Sequence, residues 1–167
     1  EARLRNTSYY LLNFVIPMFH HKISNGICSL NPNVDRRTTT FEMEINPNGE
    51  IVNYDIYKSI INSKKKMKYS DVNKILEENK MIEGYEPYVE DLKLMKELSE
   101  IIENNKVNSG YLDFVSNEID VKFDEEGKPI RFDKAISRTA EKIIENFMIM
   151  ANVTGAQTLY WMDVLCV

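Results

Sequence analysis

The sequence predicts an α+β fold, a mixed arrangement in which an antiparallel β-hairpin packs against several α-helices. Two observations carry this prediction. Polar and apolar residues alternate just before an Asn-Pro-Asn-Gly turn, and apolar residues recur every three or four positions in two later segments. The chain has 167 residues, 43% of them hydrophobic and 28% charged, which is typical of a single globular domain and excludes a disordered or collagen-like chain.

The first half of the chain is predicted to be mainly β-structure. Glu1 to Asn6 is typical of the end of a helix, and Thr7 to Ile16 is β-rich and stops before a proline, which indicates a strand. Arg37 to Ile45 ends in a period-2 alternation, and Ile51 to Asn62 is predicted to return beside it. Asn46 to Gly49 joins these two strands, because Asn and Gly tolerate the positive φ of a tight hairpin.

Helices dominate the second half. One is predicted from Tyr69 to Glu78, with Ser70 or Asp71 as its N-cap. Another begins near Pro87, and a long one runs from about 137 past 151. Short strands are predicted between the last two helices, at Leu112–Phe114, Ile119–Phe123 and Ile130–Phe132.

Both ends of the chain are typical of a fragment of a longer protein. The chain begins with Glu1, and its last nine residues are almost wholly apolar, whereas natural tails are usually polar. Val164 to Val167 is predicted to open a buried strand that continues outside the chain. The alternative is a C-terminal strand that closes a sheet of this domain.

Charge and chemical motifs limit the possible functions. Residues 69–133 carry eight basic and seventeen acidic side chains, a net charge of −9, which argues against histone-like coating of a duplex. The chain has no glycine-rich phosphate loop, no Gly-x-Ser-x-Gly elbow, no His-Glu-x-x-His and no cluster of Asp for a two-metal centre. Cys28 and Cys166 are far apart and lack ligand neighbours, which disfavours a zinc site and suits a reducing compartment such as the cytoplasm. We therefore expect no complete catalytic apparatus in this chain.

Three segments nevertheless contain residues suited to binding. Ser63 to Tyr69 is a lysine run that ends in an aromatic residue, which favours phosphate contacts and base stacking; the alternative is a solvated charge run. Glu145 shares a helix face with Asn152 beside the apolar stripe, which would suit a hydroxyl-rich ligand; the alternative is a surface ion pair with Lys142. The irregular stretch from 24 to 36 is long enough to indicate a functional loop, or else a structural crossover.

The order and spacing of several motifs resemble one known family along essentially the whole chain. They are Ile16-Pro-Met18, Ser24-Asn-Gly-Ile-Cys-Ser-Leu-Asn-Pro32, Asp35-Arg36, Phe41-Glu-Met43, Gly49-Glu-Ile51, Tyr57-Lys-Ser59, Ser63 to Tyr69, Gly110 to Phe114, and Ile144 to Asn152. This pattern resembles the catalytic (RNB) domain of the ribonuclease II/ribonuclease R family, and it is closer to the ribonuclease R branch. On this resemblance, residues 1–167 are the central portion of a larger RNB catalytic domain that is incomplete at both ends.

The resemblance implies processive 3′→5′ hydrolysis of single-stranded RNA to nucleoside 5′-monophosphates, with Mg²⁺ held by aspartates upstream of this chain. It also implies that Tyr69 contacts nucleotides near the 3′ end and that Phe114 stacks on a terminal base. Glu145 matches a glutamate that hydrogen-bonds ribose or base, although Asn146 replaces the second acid found in many members. Asn31, Asp35 and Arg36 are the candidate residues of an active-site loop.

These implications lead to expectations about partners. The full-length protein is expected to bind the 3′ end of single-stranded RNA, with no membrane or DNA partner, and the isolated chain is expected to be inactive and to self-associate. Two other classes stay open: a non-catalytic RNA-binding descendant of the domain, and a protein-interaction module based on the acidic segment.

Overall fold

The computed structural model describes residues 2–11, 14–111, 119–124, 126–134 and 136–164. In chain order the elements are α1 (Ala2–Arg5), β1 (Tyr9–Tyr10), β2 (Val15–Ile16), β3 (Asp35–Ile45), β4 (Ile51–Asn62), α2 (Tyr69–Glu78), α3 (Val89–Asn108), β5 (Ile119–Phe123), β6 (Pro129–Lys134) and α4 (Thr139–Trp161). A π-helix (Lys22–Ile27) and a 3₁₀ turn (Glu86–Tyr88) complete them. This mixture of helices and small antiparallel sheets confirms the predicted α+β class.

The residues form two compact units. The first contains Glu1–Thr38, Ile60–Lys66 and Val115–Ile136, and the second contains Thr39–Ser59, Met67–Phe114 and Ser137–Val167. In the first unit, β5 pairs antiparallel with β6, with Ile119 opposite Lys134, so the predicted return of the chain is confirmed.

The prediction of one strand over Thr7 to Ile16 is wrong. This segment forms two short antiparallel strands, with Tyr9 opposite Ile16 and Tyr10 opposite Val15. The Leu11 N–H donates to the Phe14 carbonyl oxygen at 2.9 Å and closes the reversal. A β-rich composition predicts extended backbone on both sides of a turn, but it does not show where the chain reverses.

The hairpin of β3 and β4 agrees with its prediction within two residues. Its tip is held by the Asn46 side chain, whose Oδ1 accepts from the backbone N–H groups of Asn48 and Glu50. Gly49 has φ +82°, and a Cβ at this position would lie 2.7 Å from Cβ of Asn105 on α3. Glycine is therefore required both by the turn and by the close approach of a helix.

The core of the second unit lies between α2, α3 and α4. It is formed by Val72, Ile75, Leu76, Tyr85, Leu92, Ala140 and Ile143. These positions recur at helical spacing, as the sequence predicted for α3 and α4. The N-cap of α2 is Lys68, so the prediction of Ser70 or Asp71 is wrong. Asp71 lies inside the first turn, where its carboxylate accepts from the Tyr85 hydroxyl at 3.3 Å.

The long helix α4 also packs against the hairpin. A Cβ at Gly155 would lie 3.3 Å from the ring of Phe41, so the glycine lets the helix approach this ring closely. The buried Thr154 hydroxyl contacts Sδ of Met43 at 3.2 Å. These contacts fix the helical half of the second unit on one face of the hairpin.

The remaining sequence predictions concern the end of the chain and the segment before β5. Residues 159–161 complete α4, and Val164 follows the helix as an exposed residue. The predicted strand at 112–114 and the residues 165–167 of the predicted terminal strand lie outside the described residues. No helix in the described part of the chain is long and apolar enough to cross a membrane.

Candidate functional site

Tyr69 is the first residue of α2, and its side chain is 49% exposed. The backbone just before it is fixed by Tyr85, which is 4% exposed. The Tyr85 hydroxyl accepts from the Lys68 N–H at 3.2 Å and donates to Asp71. The Tyr69 ring is thus presented to solvent from a helix start that a buried tyrosine holds in place.

Glu145 lies on α4 and is exposed. Among the residues that the structure describes, it forms no hydrogen bond or ion pair, so the alternative of a surface pair with Lys142 is not realised. Its carboxylate oxygens are available to accept hydrogen bonds from a ligand.

Helices α2 and α4 run antiparallel and are linked turn by turn. The Glu77 carboxylate accepts from Arg138 Nε and from the Thr139 N–H, both at 3.0 Å, at the start of α4. One turn earlier on α2, Asn73 bonds to the next residues of α4, Ala140 and Glu141.

One further turn along the pair brings in both predicted site residues. On α2 this turn is occupied by Tyr69, which lines a cleft together with Ile144 of α4. Residues four apart lie on the same helix face, so Glu145 follows Glu141 on the face of α4 next to the one that lines the cleft. The structure therefore places Tyr69 and Glu145 at the same end of the α2–α4 pair.

The cleft has a volume of about 480 Å³ and lies between α2, α3 and α4. Its wall is mainly apolar, and its other lining residues are Met67, Val72, Leu92, Met95, Ala140 and Ile143, with Lys68, Tyr88 and Asp91 as its remaining polar or aromatic members. Two tyrosines, a lysine and one carboxylate around an apolar floor can stack a planar ring, contact a phosphate and accept from a hydroxyl.

The lysine run before α2 contains no helix or strand from 63 to 68. Lys64, Lys66 and Lys68 are exposed, whereas Lys65 and Met67 between them are partly buried. This arrangement suits a polyanion.

The loop from 24 to 36 is built by its own polar side chains. Arg36 donates to the carbonyl oxygens of Ser29 and Gly26 at 3.0 and 3.1 Å. Asn31 donates to the Asn25 carbonyl at 3.1 Å. The Asp35 carboxylate accepts from Asn62 at 2.7 Å. The three candidate residues of this loop thus hold its conformation.

Phe114, the third predicted nucleotide contact, lies outside the described residues. Asn146, the residue after Glu145, is 2% exposed and turned away from solvent. Its amide donates to Ser99 Oγ at 3.0 Å and to Glu103 at 2.9 Å, and it accepts from Lys106. The Asn146 side chain therefore forms part of the contact between α3 and α4.

Three polar or aromatic side chains in or near the cleft were not predicted from the sequence as part of a site. Tyr88 and Asp91 line it, and neither is among the residues that the sequence singled out. Asn73 is 1% exposed among apolar neighbours on α2. The available signal was the spacing of Tyr69, Asn73 and Glu77, which places three polar groups on one helix face.

Hydrogen bonds at the start of α4 stabilise the charged form of one carboxylate of α2. The hydrogen bond from Arg138 and that from the Thr139 N–H lower the pKa of Glu77 to about 2.

Among the described residues, no group of three or more His, Cys, Asp or Glu could hold a metal ion.

Comparison with known proteins gives a consistent result. The family model of the RNB domain matches residues 1–167. Ribonuclease R of Thermotoga maritima is 44% identical over 158 residues, which is 94% of this chain and 22% of that protein. Ribonuclease R of Escherichia coli is 34% identical over 158 residues, or 94% of this chain and 19% of that protein. The chain thus spans about a fifth of the length of these relatives.

Solved structures show the same fold. The apo form of Mycoplasma genitalium RNase R superposes with a TM-score of 0.90 at 32% identity, covering 98% of this chain and 26% of that one. The same protein in complex with double-stranded RNA gives a TM-score of 0.91 at the same identity, with 98% and 29% covered. With a family match over its whole length and relatives well above 30% identity, this chain belongs to the RNB domain family.

Proposed function

We propose that this chain forms part of the RNA path of a 3′→5′ exoribonuclease that hydrolyses single-stranded RNA processively to nucleoside 5′-monophosphates. The observation that carries the proposal is one end of the α2–α4 pair, where the exposed ring of Tyr69 lines a cleft and the unpaired carboxylate of Glu145 lies on the partner helix. The membership of the RNB family gives this geometry its substrate class.

Each side chain has a role that its chemistry supports. The exposed ring of Tyr69 stacks on a base near the 3′ end, and Lys68 beside it contacts a phosphate. Glu145 accepts a hydrogen bond from a ribose 2′-hydroxyl, a group that DNA lacks. Phe114 stacks on a terminal base, and the loop of Asn31, Asp35 and Arg36 lies against the cleavage site.

The solved relatives support an RNA partner. Mycoplasma genitalium RNase R has been solved in complex with ribose-methylated single-stranded RNA, and this chain matches it with a TM-score of 0.90. The exposed and unpaired carboxylate of Glu145 is suited to accept a hydrogen bond from a ribose hydroxyl.

Mg²⁺ is proposed for the complete protein, held by aspartates outside this chain. The described residues contain no cluster suited to a metal ion, so no role proposed for them depends on the metal. We accordingly expect the purified chain to release no nucleoside monophosphates in the presence of Mg²⁺. Metal-dependent release that is lost on mutating residues of this chain would contradict this expectation.

The decisive experiment uses the complete nuclease that carries this chain, with Tyr69→Ala and Glu145→Ala. Loss of a stacking ring should weaken binding near the 3′ end by about 1–3 kcal/mol and change the final product length. Loss of a charged acceptor should cost on the order of 1.5–3 kcal/mol and reduce discrimination between ribose and deoxyribose. Both are measured by single-turnover cleavage of an RNA oligonucleotide and of its singly 2′-deoxy counterparts.

Matched controls come from exposed residues of the same types. Tyr10→Ala removes an exposed tyrosine on β1, and Glu97→Ala removes an exposed carboxylate on α3. Both should cleave as the wild type does. Wild-type rates, product length and sugar discrimination in Tyr69→Ala and Glu145→Ala would refute the proposed role of this cleft.

A further inference from the structure

Asn73 is a buried polar side chain whose two functional groups are both used between helices. It is 1% exposed, its Oδ1 accepts from the Ala140 N–H at 2.8 Å, and its Nδ2 donates to Glu141 Oε2 at 2.9 Å. We propose that Asn73 is a positioning residue that sets the spacing of Tyr69 and Glu145, an inference that rests on the function proposed above for those two side chains.

The position of Asn73 in the helix pair supports this role. It lies one turn from Tyr69 on α2, and its partner Glu141 lies one turn from Glu145 on α4. One turn is about 5.4 Å, and a helix segment of this length transmits a displacement without bending. A shift at Asn73 would therefore change the spacing of Tyr69 and Glu145 at this end of the helix pair.

The chemistry requires an amide at this site. The Ala140 N–H lies in the first turn of α4, where backbone donors have no intrahelical acceptor. The N-cap residue Arg138 provides no side-chain cap, so Asn73 caps α4 from the neighbouring helix. A donor is needed at the same time for Glu141. Alanine supplies neither group, and aspartate supplies only the acceptor and faces a second carboxylate.

Glu77 provides a second link one turn further from the cleft. Its carboxylate accepts from Arg138 and from the Thr139 N–H, but its side chain is 29% exposed. Solvent screens such a pair, whereas the Asn73 bonds are shielded from water. The buried link is also the nearer of the two to Tyr69, so it is the one that fixes the geometry of the cleft.

The test compares variants of the complete nuclease by their discrimination between ribose and 2′-deoxyribose near the 3′ end. Asn73→Ala should lower single-turnover cleavage of RNA by about 10- to 100-fold, as expected for a misplacement of about 1 Å, and should reduce the sugar discrimination as Glu145→Ala does. Thr154→Val is the stability control, because Thr154 is fully buried on α4 but far along the helix from the cleft. It should lower the melting temperature and leave discrimination unchanged.

A paired exchange separates positioning from folding. Asn73→Asp should impair discrimination because the new carboxylate faces that of Glu141. The double variant Asn73→Asp/Glu141→Gln keeps the bond from the Ala140 N–H, restores the side-chain bond with its donor and acceptor exchanged, and should recover discrimination. If Asn73→Ala does not fold, the comparison of Asn73→Asp with the double variant still tests the positioning role.

The possible failures are distinguishable. Wild-type discrimination in Asn73→Ala, or no recovery in the double variant, would overturn the positioning role while Tyr69→Ala and Glu145→Ala still show their losses. Wild-type discrimination in Tyr69→Ala and Glu145→Ala would instead refute the proposed function itself.

Discussion

Adjacent residues on α4 serve different purposes. Glu145 is exposed and unpaired among the described residues, whereas Asn146 is 2% exposed and bonded to three side chains of α3. Successive helix positions are rotated by about 100°, so one residue can face a ligand while the next faces a neighbouring helix. The sequence motif that contains both therefore combines a binding contact with a packing contact.

An acid in place of Asn146 should destabilise this protein. Asn146→Asp removes the amide that donates to Ser99 and Glu103 and places a carboxylate beside Glu103. We expect the free energy of unfolding to fall by about 1–3 kcal/mol, measured by urea denaturation of this chain. Adding Glu103→Gln supplies a donor again and should recover most of the loss. An unchanged denaturation midpoint in Asn146→Asp would show that the network around it adds nothing to stability.

At the scale of secondary structure, the α2–α4 pair is held by side chains of α2 that cap the start of α4. Asn73 and Glu77 together satisfy the first backbone N–H groups of α4 and bond to two of its side chains. Such capping contacts orient a helix as well as stabilise it. The cleft depends on this orientation because its walls come from both helices.

The Glu77 link should make stability depend on pH in the acid range. Its pKa is about 2 in the folded chain and 4.5 as the reference for an unfolded one, so its contribution is present above pH 4.5 and is lost as pH falls from 4.5 toward 2. Because the pair is partly exposed, we expect about 0.2–1 kcal/mol. Denaturation of the wild type and Glu77→Gln between pH 2 and 7 measures it.

The exposed Glu97→Gln serves as the control for this titration. The difference in stability between the wild type and Glu77→Gln should shrink as the pH is lowered, while Glu97→Gln should follow the wild type throughout. A constant difference over the whole range would show that the charge of Glu77 does not stabilise the α2–α4 pair.

For the whole molecule, the main feature is how much apolar surface stays exposed. Tyr160, Trp161 and Met162 at the end of α4 are 72%, 79% and 65% exposed. The chain spans about a fifth of its relatives' length, and surface of this kind is usually covered by other parts of a protein. We therefore propose that the isolated chain self-associates through this end of α4.

Self-association can be measured by sedimentation over a range of concentrations. The wild-type chain should shift from monomer to larger species as the concentration rises, and Tyr160→Ser/Trp161→Ser should move this shift to higher concentration. Leu94→Ser, at an exposed leucine of α3, is the matched control and should have little effect. A wild-type chain that stays monomeric at high concentration would exclude this interface.

The sequence by itself determined the α+β class, the β3–β4 hairpin with its Asn-Gly turn, and the bounds of α2 and the core stripe of α4, because these depend on local turn chemistry and on periodicity. It also selected Tyr69 and Glu145 by resemblance. Only the tertiary structure decided where residues 7–16 reverse, that Lys68 rather than Ser70 or Asp71 caps α2, and that Asn73 links α2 to α4. The last two depend on partners distant in the chain: the Tyr85 hydroxyl that bonds to the Lys68 N–H lies 17 residues away and the Ala140 N–H that Asn73 accepts lies 67 residues away, separations that no local pattern encodes.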